Sequence, residues 1–591
     1  MSHVLRFRLV VALLVAAIAL APLVLGNFAV SLMNDIGIGA LVALGLVLLT
    51  GVGGATSFGQ AAFVGIAAYA SAWLTTAQGL SPWLGLPFAL LLTGVSALAI
   101  GMLTLRLGGH FLPLSTIAWG LSIAMLFGNM DALGRHTGLS NIPPIRLGPW
   151  SLVDAQAIYY LIWLIVGLAF LFSYNLLASR PGRAIRGLRG GAVLLASVGA
   201  DAYRVRLSLF VLAALFAGLA GWLYAHTNRF VSPAPFDLRA SIEYLLMAVA
   251  GGLGNLAGAL VGAALVLLMK NGLQDVLPLI TERAGQLEAI AFAALFIALL
   301  HFARGGLMGF VRKVTRGRFK APQSDERPRG EVAPLAHREL PARGTPILAV
   351  EGAVKRFGGL VAVNEITLDL HRGEVHAVIG TNGAGKSTLI NMLSGEIGVS
   401  AGQIRLDGQD ITRRSQALRA RSGVGRSYQR TTIFPEFTVH ENCRLAAQAA
   451  TPRPWAIWQS ASGCSGSNAA AAEALAAAGL TEVAQRVAGT LSHGAKRQLE
   501  VAMCLATRPR VLLLDEPLAG MGAEETDRML ALLERLRANH AILLVEHDMD
   551  AVFRIADRIT VMVNGAVIAS GDPASIRENA EVRTAYLGEE H

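Results

Sequence analysis

Gly380-Thr-Asn-Gly-Ala-Gly-Lys-Ser-Thr388 is the stretch of sequence that decides the fold of the C-terminal half. It follows the apolar run Val375 to Ile379 and precedes a predicted helix, which is the strand, loop and helix setting that the G-x-x-x-x-G-K-S pattern requires. Its glycines allow several backbone N–H groups to point into one concavity, and the helix N-terminus adds positive potential there. The alternative is a glycine-rich turn that binds nothing. The complete pattern in this setting predicts a phosphate site.

We expect ATP and Mg²⁺ as cofactors at this loop. Lys386 is predicted to reach the β- and γ-phosphates, and the Ser387 hydroxyl is predicted to bind Mg²⁺. The predicted nucleotide contacts of the loop are Gly380, Asn382, Gly383, Ala384, Gly385, Lys386, Ser387 and Thr388.

Two further apolar runs end in ionisable side chains. Val511-Leu-Leu-Leu-Asp515-Glu516 is typical of a buried parallel strand, whose end is predicted to hold Asp515 near Mg²⁺ while Glu516 polarises the attacking water. A capped strand end is the alternative. Ala541 to Val545 leads to Glu546-His547-Asp548, where His547 is predicted to contact the γ-phosphate or to assist catalysis, a structural histidine being the alternative.

Three other stretches contribute candidate site residues. Gln429 is expected to bind Mg²⁺ or the attacking water. Ser492 and Gly494 begin a predicted helix, where they form either an anion site or an ordinary N-cap. Phe357 lies between two predicted strands and either stacks on adenine or belongs to the core.

The whole chain has the composition of a membrane protein joined to a soluble one. Hydrophobic residues make up 53% of its 591 residues and charged residues only 15%. Long apolar segments fill residues 9 to 303 and none follows. The sequence therefore predicts a polytopic α-helical membrane domain (1–305), a flexible linker rich in Pro and Arg (306–345), and an α/β P-loop NTPase domain (346–591).

The net charge of +10 is explained by its location rather than by nucleic acid. Residues 180–206 hold six Arg and one Asp, a charge of +5, and residues 304–343 hold ten Lys or Arg and four acids, a charge of +6. Both stretches flank apolar segments, as the positive-inside rule expects of cytosolic loops. The three cysteines lack metal-ligand spacing and suit a reducing compartment.

Nine apolar segments are candidates to cross a hydrocarbon core of about 30 Å. They are Leu9–Leu25, Val30–Leu49, Phe58–Thr76, Leu84–Leu105, Leu112–Phe127, Ile158–Leu177, Leu207–His226, Tyr244–Met269 and Ala289–Ala303. We interpret the first as a retained helix with its N-terminus inside rather than a cleaved signal. Six crossings then place the basic stretch 180–206 inside, but three more would leave the ATP site outside.

Gly251-Gly-Leu-Gly254-Asn255, in the middle of the eighth segment, offers a resolution. Glycines and a polar residue at that depth indicate a broken element, which is tolerated where it is buried in protein or lines a cavity. If Ile242 to Lys270 enters and leaves on the outer face, about eight crossings remain and the ATP site lies inside. The alternative is a single span whose glycines allow close helix packing.

Two features of the membrane half bear on transport. Few ionisable groups lie at depth, which favours a substrate that is neutral overall, or apolar with its charges met by helix ends. The cytosolic stretch Val193 to Gly199 is predicted to be a short helix that docks into a groove on an ATPase, or a basic loop that lies on anionic headgroups.

Together these motifs resemble the ATP-binding cassette (ABC) transporters over residues 347 to 591. The resemblance comprises six elements in order: Phe357, the loop 380–388, Gln429, the Ser492-His-Gly signature, the strand 511–516, and His547. It implies a head-to-tail ATPase dimer, in which Ser492 and Gly494 contact ATP held by the phosphate loop of a second ATPase.

Other stretches are similar to the bacterial branched-chain amino-acid importers. They are Arg356-Phe-Gly-Gly-Leu-Val-Ala-Val-Asn364, Arg497-Gln-Leu-Glu500, Glu546-His-Asp-Met549 and Ala585-Tyr-Leu-Gly-Glu589 in the ATPase, and Gly59-Gln-Ala-Ala-Phe63, Phe216-Ala-Gly-Leu-Ala-Gly221 and Gly251-Gly-Leu-Gly254 in the permease. This resemblance implies a permease fused to its ATPase in the bacterial inner membrane. It implies as partners a second permease, a second ATPase and a periplasmic solute-binding protein.

Two departures from the family pattern concern residues that face the partner's nucleotide. His493 takes the third place of the signature, where the family usually has Gly, and Leu518-Ala-Gly-Met-Gly522 ends in Gly rather than Asp or Asn.

Two other functions stay open from sequence alone: an exporter half-transporter, and an ATP-gated membrane protein that does not transport. Exporters usually have six long helices that extend well into the cytosol, whereas about eight crossings are predicted for this chain.

Overall fold

The computed structural model describes residues 3–106, 111–280, 284–302, 305–314, 342, 344–450 and 456–587. The predicted linker lies largely outside these residues. Its first part is helical rather than irregular, because residues Gly306–Val314 form a helix.

The N-terminal half is a set of helices joined by short loops and one small hairpin. The helices are α1 (His3–Val24), α2 (Asn27–Leu46), α3 (Gln60–Thr76), α4 (Pro82–Thr104), α5 (Phe111–Asn129), α6 (Ala155–Ala178), α7 (Arg180–Gly187), α8 (Ala192–Ser197), α9 (Ala202–Asn228), α10 (Leu238–Gly251), α11 (Leu256–Ile280), α12 (Ala284–Phe302) and α13 (Gly306–Val314). The hairpin strands are β1 (Arg146–Leu147) and β2 (Trp150–Ser151).

Seven helices in the described part of the chain are long and apolar enough to cross a membrane. They are Asn27–Val52, Pro82–Thr104, Phe111–Asn129, Ala155–Ala178, Ala202–Asn228, Leu256–Ile280 and Leu287–Val311. The predicted segment Phe58–Thr76 is shorter than expected, since α3 has 17 residues. The number of crossings stays a prediction, because length and composition alone define this set.

The predicted broken element is broken where expected. α10 ends at Gly251 and α11 begins at Leu256, so Gly252 to Asn255 interrupt the helix. The second half is longer than predicted: α11 continues past Lys270 to Ile280, which makes it long enough to cross on its own. The two halves nevertheless pair as a hairpin, because a Cβ on Gly262 would lie 1.8 Å from the carbonyl oxygen of Met247 and Lys270 Nζ lies 3.1 Å from Glu243. The ends of the predicted element therefore meet, and its return to the outer face stays a prediction.

A second interruption meets the first one. α2 continues as a π-helix over Val47–Val52 and the chain is irregular until Gln60. A Cβ placed on Gly51 would lie 1.7 Å from the carbonyl oxygen of Leu253. Only glycine allows this approach, so the two glycine-rich interruptions that the sequence shows are in direct contact.

Replacing Gly251 by Ala is expected to destabilise the pair α10 and α11. A Cβ there would lie 1.7 Å from the carbonyl oxygen of Gly258 on α11, so the two backbones must separate. Overpacking of this kind costs about 1–3 kcal/mol. The measurement is the yield and the thermal unfolding midpoint of the purified chain. Gly254→Ala is the matched control, since nothing lies within 4 Å of its Cβ position, and equal behaviour of the two variants would contradict the packing.

The C-terminal half is an α/β domain with two sheets. Its strands are β3 (Pro346–Phe357), β4 (Leu360–His371), β5 (Val375–Gly380), β6 (Ala401–Leu406), β7 (Gln409–Asp410), β8 (Val424–Arg426), β9 (Val511–Asp515), β10 (Ala541–Val545), β11 (Arg558–Val563) and β12 (Ala566–Gly571). Its helices are α14 (Lys386–Ser394), α15 (Gln416–Ser422), α16 (Val439–Ala447), α17 (Ser465–Ala477), α18 (His493–Ala506), α19 (Ala523–Arg537), α20 (Met549–Ile555), α21 (Pro573–Glu578) and α22 (Ala580–Leu587).

The larger sheet positions the nucleotide site. Its order is β12-β11-β5-β10-β9-β8, in which β5 lies beside β10 and β10 beside β9, all parallel. These three strands are apolar and fully buried, as expected of a parallel sheet covered on both faces. Their carboxyl ends carry the phosphate loop, Glu516 and Glu546, so the parallel order brings the three predicted motifs to one edge. The second, antiparallel sheet has the order β4-β3-β6-β7.

Contacts divide the chain into two compact units. One unit contains the residues up to 177 and residues 203–325. The other unit contains the ATPase together with residues 178–202. We call residues 178–202, which include α7 and α8, the docking segment. The predicted helix Val193 to Gly199 is thus observed as α8, packed with the ATPase of its own chain.

Candidate functional site

The phosphate loop has the predicted setting between β5 and α14. Lys386 begins α14 and is buried, and its Nζ donates to the carbonyl oxygens of Gly380, at 2.6 Å, and Thr381, at 3.0 Å. Burial lowers the pKa of Lys386, while the nearby carboxylates Glu516 and Asp515 oppose that shift. The ammonium is therefore held inside the loop, next to the acidic strand ends.

Gly385 shows why the loop needs glycine. Its φ is +97°, and a Cβ there would lie 2.3 Å from the carbonyl oxygen of Ala362 on β4. A side chain at this position would push the loop away from β4 and change the concavity. Asn382, Gly383 and Ser387 are exposed, so they are accessible to a nucleotide, whereas Ala384 is buried under the loop.

The residues at the end of β9 fit a magnesium ion. Asp515 is buried and its Oδ1 has no hydrogen-bond partner among the described residues. Burial is the main reason that the pKa of Asp515 is raised, with Arg426 acting in the opposite direction. A buried carboxylate oxygen without a partner is suited to a cation. Asp515, Ser387 and Gln429 would supply the protein ligands, and the ion would provide a Lewis acid for the phosphates.

Three residues predicted to take part in catalysis meet at one carboxylate. Glu516 Oε1 accepts a hydrogen bond from Gln429 Nε2 at 3.0 Å and lies 3.1 Å from His547 Nε2. Glu516 has a φ of +49°, an uncommon conformation for a residue other than glycine. Strained backbone of this kind is typical of functional sites, where the surrounding contacts maintain it. The carboxylate is thus oriented from two sides by residues of different elements.

A buried ion pair on α18 holds the backbone of Gln429. Arg497 Nη1 lies 3.0 Å from Glu500 Oε2, and both side chains are almost fully buried. The Arg497 guanidinium donates to the carbonyl oxygens of Tyr428 and Gln429, while Glu500 accepts the N–H of Tyr428 at 2.8 Å. The sequence analysis gave neither residue a role. The sequence feature that could have indicated them is a pair of opposite charges three residues apart within an otherwise largely apolar helix.

The signature residues lie at the start of α18 as predicted. Ser492 is the N-cap and accepts the N–H of Ala495 at 3.3 Å, which is the ordinary capping role. A Cβ on Gly494 would lie 2.3 Å from the carboxylate carbon of Glu525, so this glycine allows α19 to approach. A Cβ on Gly520 would lie 3.2 Å from His493 Nε2. His493 therefore lies close to Gly520, within the loop that ends at Gly522.

Phe357, at the end of β3, is not a core residue. Half of its surface is exposed, and Lys355 Nζ lies 5.1 Å from the centre of its ring. This exposure argues against the core position that the sequence left open, and stacking of the ring on adenine stays a prediction.

The chain matches known families in three places. Residues 363–519 match the ABC transporter family, residues 28–302 the branched-chain amino acid transport system permease component, and residues 566–591 the branched-chain amino acid ATP-binding cassette transporter family. The high-affinity branched-chain amino acid transport ATP-binding protein BraF of Pseudomonas aeruginosa is 43% identical over 251 residues, 41% of this chain and 98% of that protein. The chain belongs to the branched-chain amino-acid uptake family of ABC transporters.

Two further comparisons concern its ATPase half. LivG of Escherichia coli (strain K12), a protein described in the same words as BraF, is 41% identical over 251 residues, 41% of this chain and 98% of that protein. A nucleotide-free ATP-binding cassette from an ABC transporter is 28% identical, with 42% of this chain and all of that chain covered and a TM-score of 0.38. By its family matches, this ABC transporter chain is a permease fused to an ATPase that binds and hydrolyses ATP.

The docking segment of this transporter chain contacts the ATPase beside Gln429. The Tyr428 hydroxyl donates to the carbonyl oxygen of Val193 at 3.3 Å, and Arg421 Nε donates to the carbonyl oxygen of Gly199 at 2.7 Å. Arg183 forms an ion pair with Glu441 at the other end of the segment. The neighbouring side chains of Tyr428 and Gln429 therefore contact the docking segment and the Glu516 carboxylate, respectively.

The role of Glu546, like those of Arg497 and Glu500, was not predicted from the sequence. It follows β10, is buried, and accepts the N–H groups of Leu518, at 2.7 Å, and His547, at 3.2 Å. It therefore ties the start of the loop 518–522 to His547. Burial raises the pKa of Glu546 to about 7, against the effect of the two N–H donors. The sequence feature that could have indicated Glu546 is a carboxylate placed directly after a buried apolar strand.

Glu546 is expected to make stability depend on pH. The folded-state pKa of Glu546 lies above the ordinary value of 4.5. Its contribution to the free energy of unfolding is therefore fully present below about pH 4.5 and is lost as the pH rises towards about 7. Glu546→Gln is expected to remove this loss while it keeps an acceptor for the two N–H groups. The measurement is the thermal unfolding midpoint of the purified chain between pH 4.5 and pH 8, read as the difference between variant and wild type.

The unfolding midpoint is read as a difference between variant and wild type because buried His376 changes stability with pH in the opposite direction over the same range. Burial lowers the pKa of His376 to about 4. Its contribution to stability is lost as the pH falls below its ordinary value of 6.5. Glu534→Gln, in an exposed surface pair, is the control. A constant difference across the whole pH range would contradict the assignment to Glu546.

Proposed function

We propose that this chain is the permease–ATPase subunit of a bacterial importer for branched-chain amino acids or a related small organic solute. The solute is delivered by a periplasmic binding protein, and a second permease and a second ATPase complete the complex. The membrane half lies in the inner membrane and the ATPase half lies in the cytosol, where ATP and Mg²⁺ are available. The observation that carries the proposal is the match of both halves of one chain to the same uptake family.

The geometry supports a role for ATP in driving the transport step. Gln429 bonds to Glu516, and the neighbouring Tyr428 bonds to the docking segment, so occupancy of the nucleotide site and the position of the docking segment depend on the same peptide. ATP closes the ATPase dimer, with Ser492 and Gly494 serving the nucleotide of the partner. Hydrolysis, with Glu516 polarising the water, resets the complex.

The complex can be tested in proteoliposomes that hold ATP inside. Radiolabelled leucine with the purified binding protein is added outside, and uptake is expected only when both ATP and the binding protein are present. Stimulation of ATP hydrolysis by the loaded binding protein distinguishes an importer from an exporter, which has no such response, and from an ATP-gated protein with little turnover. Leucine uptake that is absent in the complete system would overturn the amino-acid assignment.

A further inference from the structure

Asp35 is an isolated carboxylate in the membrane half. It is the only Asp or Glu among the first 130 residues. It lies in α2, within the candidate membrane span Asn27–Val52, and its side chain is exposed although Ile36 to Leu49 are all buried. Among the described residues no cation pairs with it. An ionisable side chain within a membrane span normally has a partner or a function.

The neighbourhood of Asp35 is polar and aromatic. Asp35 lies within electrostatic reach of Tyr224 on α9 and Tyr244 on α10, and both tyrosines are half-buried. α2 and α10 pack together one turn further on, where a Cβ on Gly39 would lie 3.1 Å from the sulfur of Met247. α2 and α10 therefore pack closely one turn beyond Asp35, whose own side chain is exposed. We call Asp35, Tyr224 and Tyr244 the Asp35 site.

A second carboxylate near the site is already neutralised. Glu243 precedes Tyr244. Both of its carboxylate oxygens accept hydrogen bonds from Lys270 Nζ, each at 3.1 Å. Lys270 lies on α11, so this ion pair fastens the two helices together. Of Asp35 and Glu243, Asp35 is the carboxylate left for a ligand.

The Asp35 site lies near the ends of α6 and α9 that are not joined to the docking segment. α6 leads into that segment at Ala178 and α9 leaves it at Ala202, so Ala155 and Asn228 mark the opposite ends of these two helices. Asn34 Nδ2 donates to the carbonyl oxygen of Ala155 at 2.9 Å, which puts Asp35 at that end. Tyr224 is one turn from Asn228. With the docking segment in the cytosol, the site faces the periplasm.

We propose that the Asp35 site receives the ammonium group of a small zwitterionic amino acid as it enters the permease. This inference rests on the proposed function. The carboxylate supplies the negative charge, and the tyrosines supply hydroxyl acceptors and ring faces, both of which suit an ammonium ion. A ligand that is neutral overall fits a carboxylate that lies within a membrane span and is paired with no described cation.

The test compares leucine with 4-methylpentanoate, which has the same carbon chain but no amine. Equilibrium binding of both labelled compounds is measured on the purified complex in nanodiscs, without ATP and without binding protein, so that only the permease discriminates. The wild type is expected to prefer leucine, and Asp35→Asn is expected to weaken leucine binding by about tenfold to a hundredfold while 4-methylpentanoate is unaffected. Asp35→Glu should retain the preference.

Asp131→Asn removes a charge from an exposed pair with Arg135 and is the matched control, expected to bind like the wild type. Leucine binding and uptake by Asp35→Asn that equal those of the wild type would overturn the inference. So would a complex that falls apart only in Asp35→Asn, since Asp35 would then pair with a cation of the partner permease. A wild-type complex that does not take up leucine counts instead against the proposed function, which keeps the two failures separate.

Discussion

Replacing Glu516 by Gln is expected to lower ATP hydrolysis by the reconstituted complex at least about a hundredfold, the usual contribution of a general base. The substitution keeps the shape of the side chain and an oxygen that can accept from Gln429 and His547, which hold the wild-type carboxylate. Only the negative charge that polarises the attacking water is lost. Leucine uptake should fall to the same degree, because each transport cycle requires hydrolysis.

Binding of ATP separates this effect from a folding defect. The Glu516→Gln complex is expected to bind MgATP at least as well as the wild type, since Lys386 and the phosphate loop are unchanged and a negative charge near the phosphates is gone. Glu524→Gln is the matched control, because Glu524 lies in the first turn of α19 and forms an exposed pair with Arg528. ATP-dependent uptake that continued at the wild-type rate in Glu516→Gln would refute the assigned role.

The elements of the ATPase half could be predicted from sequence because their signals are local. β5, β9 and β10 are continuous apolar runs bounded by polar or glycine residues, and their observed limits agree with the predicted runs to within one residue. Parallel strands place their carboxyl ends at one edge, so the meeting of Gln429, Glu516 and His547 follows from the topology. Each of these three residues carried its own motif.

What could not be predicted depends on contacts between distant residues. Arg497 bonds to carbonyl oxygens 68 and 69 positions earlier in the chain, and no local pattern specifies that partner. Glu546 holds the loop at Leu518 in the same way. The length of α11 was misjudged because Lys270 was taken as the end of an apolar segment, whereas Lys270 pairs with Glu243 and the helix continues.

Replacing Arg497 by Ala is expected to destabilise the ATPase half strongly. It leaves Glu500 buried without its cation and removes the donors to two backbone carbonyl groups. Breaking a buried pair in this way costs about 3–5 kcal/mol, a large fraction of the 5–15 kcal/mol that typically holds a domain folded. The first thermal unfolding transition of the purified chain should shift down by several degrees, and Arg528→Ala, in an exposed pair, should not shift it.

Arg497→Lys addresses function rather than stability. Lysine keeps the charge next to Glu500, but a single ammonium lacks the planar fork that serves the carbonyl groups of Tyr428 and Gln429 together with the carboxylate. The peptide would then be free to move, although it orients Gln429 towards Glu516 and holds the Tyr428 hydroxyl on Val193 of the docking segment. We expect ATP hydrolysis to persist while the leucine taken up per ATP falls severalfold, measured side by side in proteoliposomes. A wild-type ratio in Arg497→Lys would show that α18 needs only the charge of Arg497 and not its grip on this peptide.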